Sequence, residues 1–148
     1  MFRNKIIRII ITILICLTFS FTLCSCSSDP LSPEDEYQLW IEDQFGWDGA
    51  HKTIEELIID NLNDEESYKH IETSYIEITD DTIKKEINEA LEADGYENRV
   101  EINDLVVMTE FSADNVFGGT VKSIAVGISS YSENTITLIS IETVKKSL

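Results

Sequence analysis

Cysteine is absent from all but the first part of the chain: the three present are Cys16, Cys24 and Cys26. A disulfide framework is thereby excluded for everything that follows, and stability has to come from an ordinary hydrophobic core. Histidine is nearly as scarce. His51 and His70 are the only two, neither has a second ligand at metal spacing, and no His-Glu-x-x-His occurs. Both are expected at the surface or in turns, and no metal is assigned. Ser129 and Ser130 follow Gly127 without forming a Gly-x-Ser-x-Gly elbow, and no glycine-rich loop is built to cradle a phosphate. Positive charge is the remaining shortage. Eleven Lys and Arg stand against 28 Asp and Glu, for a formal net charge of −17. Such a surface repels phosphate backbones and anionic lipid headgroups, so nucleic acid is excluded as a partner. Carboxylate pairs are too common in this chain to mark glycosidase chemistry. The Asp64-Glu65-Glu66 run lacks an EF-hand ladder, since counting from Asp60 places Leu62 where an oxygen ligand is needed. No catalytic residue and no cofactor is assigned, and the chain is not read as an enzyme.

What is present begins at the N-terminus. Arg3, Lys5 and Arg8 precede an apolar run of 15 residues, Ile9 to Leu23. That is a signal-peptide length, short of the roughly 20 residues of a membrane-spanning helix. The run ends in Leu23-Cys24-Ser25-Cys26, which resembles the bacterial lipobox, with Leu three places before the modified cysteine and a small residue just before it. The resemblance implies cleavage between Ser25 and Cys26 and a diacylglycerol on the Cys26 thiol. Cys24 fits less well, because bulky Leu23 would flank the cleaved bond. The expected organisation is a signal peptide over 1–25, a lipidated cysteine and short tether over 26–33, and one domain over 34–148. Both prolines of the chain, Pro30 and Pro33, lie in or beside the tether, whose seven residues after Cys26 reach at most about 25 Å. Loss of Arg3, Lys5 and Arg8 leaves eight basic residues against the same 28 acidic ones, about −20. The membrane is thus expected to hold the protein through lipid and not through a basic patch, because two acyl chains anchor stably where one does not.

The remaining sequence alternates between two periodicities. Ser32 can cap a helix that starts at Pro33, with Glu34, Asp35 and Glu36 at its positive end and Tyr37, Trp40, Ile41 and Phe45 on one face. Trp40, Phe45 and Trp47 are expected to pack in the core or at a hinge. A second helix is predicted over 50–62, from the Thr53/Glu56 capping-box spacing and the stripe Ile54, Leu57, Ile58 and Leu62, with a further turn over 65–69. Ile71–Ile78 reads as a strand. A third helix follows Asp80, with Ile83, Ile87, Ala90 and Leu91 as its stripe and Gly95 as its stop. Strands are predicted over 100–111 (one long or bulged strand), 120–129 and 135–142. Helices first and strands last, with short polar turns, give an α+β domain: N-terminal helices on one face of a three- or four-stranded antiparallel sheet.

The segment between two of those strands, Phe111-Ser112-Ala113-Asp114-Asn115-Val116-Phe117-Gly118-Gly119, stands out. Paired glycines suggest a tight turn with positive φ, and Asp and Asn commonly hydrogen-bond their own backbone there. Asp114, Asn115, Phe117, Gly118 and Gly119 form the candidate interaction loop. This loop and the earlier Asp64-Glu65-Glu66-Ser67-Tyr68-Lys69-His70-Ile71-Glu72-Thr73 together resemble small uncharacterised bacterial exported proteins. Those carry Asp-Pro-x-Ser-Tyr/Phe-x-His-Ile/Val-Glu-Thr, then Phe-Arg-Gly-x-Asn-x-Phe-Gly-Gly, then a closing hairpin. The resemblance spans roughly residues 54 to 142. It departs at Glu65, where the pattern has proline, and at Ser112-Ala113, where it has Arg-Gly, and the helix at 82–93 looks like an insertion. The missing arginine removes the basis for anion binding at the loop, and the resemblance implies a fold without a mechanism. The expected function is that of a membrane-anchored extracytoplasmic lipoprotein acting as a non-enzymatic protein-interaction module of the cell surface, an envelope component or an exclusion or immunity lipoprotein. A small-ligand or cation-binding lipoprotein, with its site around Asp114 and Asn115, and a hydrolase are the alternatives. Ser27, where some bacteria place Asp to retain lipoproteins at the inner membrane, leaves an outer membrane open as the location.

Overall fold

A computed structural model describes residues 31–144, and the signal-peptide and Cys26 expectations lie outside the described residues. Helix α1 is Pro33–Gln44. Ser32 caps it in a reciprocal box: its hydroxyl accepts from the Asp35 N–H at 3.1 Å, and the Asp35 carboxylate accepts from the Ser32 N–H at 3.2 Å. Helix α2 is Lys52–Asp60, followed by a 3-10 turn, Glu65–Ser67, and strand β1, Lys69–Glu77. Helix α3 is Asp81–Ala93, capped by Asp80 and followed by Gly95 at φ +85°. Strands β2 (Leu105–Asp114), β3 (Thr120–Ser130) and β4 (Thr135–Thr143) complete the chain. The sheet order is β1-β2-β3-β4 and every neighbouring pair is antiparallel. The domain is therefore α+β, with a four-stranded meander interrupted only by α3.

The helices do not share one face. Alternation along β2 divides the core in two. Leu105, Val107, Phe111 and Ala113 pack with Ile41 of α1 and with Ile54 and Ile58 of α2. Val106, with Ile76, Val126 and Ile128, packs on the other side against Ile87, Ala90 and Leu91 of α3. The expectation of helices on one face is thus corrected to a sheet between two helical layers. The reason is legible in Leu105-Val106-Val107-Met108, a continuous apolar run of the kind that strands buried on both faces show.

Two further expectations change. Residues 100–102 are not strand. The Asn88 side chain clamps Val100 by donating to its carbonyl at 3.1 Å and accepting from its N–H at 2.8 Å, which removes the groups a ladder needs. Val100 then fills the core beneath α3. Helix α2 is capped by His51 and not by Thr53. A tight turn, closed by the Gly46 N–H on the Ala50 carbonyl at 2.8 Å and carrying Gly49 at φ +80°, pairs Phe45 with His51 and delivers the imidazole to the cap position. At Gly127 of β3 an added Cβ would meet Ile54 Cδ1 at 2.7 Å and the Thr137 carbonyl oxygen at 3.1 Å, so the absent side chain is what lets α2 lie this close to the sheet.

Candidate functional site

The loop singled out by its sequence is the tip of the β2–β3 hairpin. Several of its polar groups bond within the loop itself. Asn115 Oδ1 accepts from the Phe117 N–H at 3.0 Å and the Gly119 N–H at 3.1 Å. The Asn115 backbone N–H donates to the Gly119 carbonyl at 2.9 Å, and its carbonyl accepts from the Gly118 N–H at 2.9 Å. Gly118 sits at φ +76°, while Gly119 does not need positive φ. Asp114 accepts from the Thr120 hydroxyl at 2.6 Å across the hairpin neck. One oxygen of Asp114 and the Asn115 Oδ1 thus brace the hairpin. What the tip offers outward is apolar: Phe117 is 93 % exposed and Val116 is 68 % exposed.

The tip is stiffened from below by the other segment of the resemblance. Ser67 Oγ accepts from the Asp114 N–H at 2.9 Å and donates to the Asp64 carbonyl at 2.7 Å, fastening the 3-10 turn to the hairpin neck. The Tyr68 ring packs on Phe111 with centroids 5.5 Å apart. Burial, and after it the nearby charge of Glu55, push the Tyr68 phenol well above the usual tyrosine range. His70 pairs with Phe111 in the β1–β2 register, and its Nε2 is 2.9 Å from Thr73 Oγ1, itself 3.1 Å from Thr109 Oγ1. The two quoted stretches, nearly 40 residues apart in the chain, are thus one contiguous unit. Val116 and Ser67 are the members that reasoning from the loop residues omits; Ser67 was visible only as part of the resembling pattern.

Other residues fall elsewhere. Trp40 and Phe45 pack against the α1–α2 core as expected, but Trp47 is 100 % exposed in the turn between those helices, which corrects the expectation that it packs. His51 is also corrected: it is only 1 % exposed. Its Nδ1 accepts from the Ile54 N–H at 3.4 Å, and its Nε2 has no partner among the described residues. Burial pushes the imidazole down to about 4; its own backbone hydrogen bond opposes this, and the Lys52 charge adds to it.

A polar cleft of about 270 Å³ lies at the opposite end of the sheet, between the 97–104 segment and the β3–β4 turn, with Arg99, Glu101, Asp104, Ser130 and Glu133 in its wall. Asp104 is buried but committed, accepting from the Glu101 N–H at 2.8 Å, the Ser130 hydroxyl at 3.0 Å and the Tyr131 N–H at 3.1 Å. Among the described residues no group of three or more His, Cys, Asp or Glu side chains is placed to hold a metal ion, and no helix is long and apolar enough to cross a membrane. No family model, no curated protein and no solved structure matches the chain.

Proposed function

We propose that the protein is a lipoprotein held at the extracytoplasmic face of the cell membrane through Cys26, and that its domain is a non-enzymatic module that binds another protein at the cell surface. The lipobox-like Leu23-Cys24-Ser25-Cys26 after the basic Arg3, Lys5, Arg8 and the apolar run over 9–23 supports the address. The observation that carries the binding half is the β2–β3 tip, which is braced by its own hydrogen bonds and leaves Val116 and Phe117 bare. An adjacent apolar pair presented on a braced hairpin tip suits a binding surface, because aromatic residues are enriched at the centres of interfaces.

The test has two parts. Intact mass of the membrane-extracted protein should show a chain beginning at Cys26 and heavier by a diacylglyceryl group, with the Cys26→Ala variant unprocessed or released. An unmodified chain keeping Met1 sinks the address. Membrane-impermeant cross-linking of intact cells should give one recurrent protein adduct; if none forms, the binding half fails. The polar cleft beside Arg99 and Glu101 favours the small-ligand alternative, which a thermal-shift titration with small zwitterions and sugars would bring out.

A further inference from the structure

We infer, resting on the reading above, that the β2–β3 tip is the contact surface and that its partner is a protein presenting an apolar pocket bordered by Lys and Arg, met on the side of the domain away from the lipid anchor. The tip backbone is preorganised, because Asn115, Thr120 and Ser67 hold it before any partner arrives, so docking Phe117 costs little backbone ordering entropy. Its surroundings are acidic. Ser67 ties the exposed Asp64-Glu65-Glu66 run to the base of the hairpin, and Asp114 forms the neck. On the neighbouring strands Lys122 is paired with Glu110 at 2.9 Å, and Lys69, opposite Ser112, offsets only one of Asp64, Glu65, Glu66 and Asp114, so the flank of the tip is net negative. A complementary partner is therefore apolar at its centre and basic at its rim.

The direction follows from topology. The Tyr37 and Trp40 rings of α1 lie 5.1 and 5.0 Å from the Tyr131 ring, so the first turns of α1 sit at the β3–β4 end of the sheet. The tip is at the other end of β3, whose 11 residues span about 35 Å. Pro33, where α1 begins, thus lies far from Phe117. An anionic bilayer is the competing occupant for an apolar tip, and both the acidic flank and this separation oppose it.

The experiment uses the full chain in its own host, with p-benzoylphenylalanine in place of Phe117 or, at the opposite end, in place of Ser132. Ultraviolet light should yield one protein adduct from position 117 and none from 132. With that partner purified, Phe117→Ser should weaken Kd about 30-fold, the loss typical of a central aromatic anchor, while leaving the thermal midpoint unchanged because the ring packs on nothing. The Glu65→Lys, Glu66→Lys double variant should also weaken binding, and wild-type affinity should fall as salt rises from ~0.05 to ~0.3 M. An adduct from 132 alone, or an unchanged Kd for Phe117→Ser, overturns the tip while leaving the interaction reading standing. Adducts from position 117 to lipid and none to protein overturn it in favour of lipid. No adduct from either position, together with no surface cross-link of the wild type, overturns both.

Discussion

His51 ties the stability of α2 to pH in a direction that can be worked out in advance. Its Nδ1 must be unprotonated to accept from the Ile54 N–H at 3.4 Å, so the neutral ring carries its proton on Nε2. A second proton would go on Nδ1, facing one donor with another and placing a charge in the core beside Phe45, whose ring centroid is 5.3 Å away. The folded-state value of about 4 lies below the ordinary 6.5, so the unfolded chain binds this proton more readily. Stability from His51 is accordingly complete above about pH 6.5 and is lost as pH falls toward 4. Linkage over that interval gives a loss of roughly 2–3 kcal/mol by pH 4.5 relative to pH 7. Urea unfolding at a series of pH values would measure it, with His51→Asn as the reference. Asparagine keeps a capping oxygen but has no proton to gain, so carboxylate effects common to both proteins cancel in the difference. The wild type should exceed His51→Asn at pH 7 and lose roughly 2–3 kcal/mol of that advantage by pH 4.5. Parallel curves for the two proteins would refute the buried, neutral cap.

The remaining predictions concern packing and the tip. Gly127→Ala should destabilise by about 1–3 kcal/mol in thermal or urea unfolding, because the new methyl meets Ile54 and the Thr137 carbonyl, which is backbone and cannot swing away. Asn115→Ala should cost about 1–2 kcal/mol and speed hydrogen exchange at the Phe117 and Gly119 amides, while amides in the middle of β2 and β3 keep their protection. Asp104→Ala should cost about 2–4 kcal/mol in unfolding free energy by leaving the Glu101 N–H, the Ser130 hydroxyl and the Tyr131 N–H without their acceptor.

The local elements were legible because the signals that set them are local. Ser32-Pro33 and Asp80 mark two helix starts, Gly95 marks an end, and the period-two stretches became β1, β3 and β4. The loop at 114–119 was legible for the same reason, since an Asx turn is written in adjacent residues. The errors share a cause. Val100 looks like strand until Asn88, 12 residues away, takes its backbone, and Thr53 looks like a cap until the 45–51 turn supplies His51.

Composition and local pattern alone determined an acidic, cysteine-free α+β domain with an antiparallel meander and a tight hairpin loop, because charge sums and short-range backbone preferences need no partner far along the chain. Only the tertiary structure decided that α3 crosses to the opposite face, that His51 is buried, that Trp47 and Phe117 are bare, and that Ser67 braces the loop near which its own acidic neighbours stand. Each of these depends on which distant residue occupies a given volume, and sequence periodicity says that a face is buried without saying what buries it.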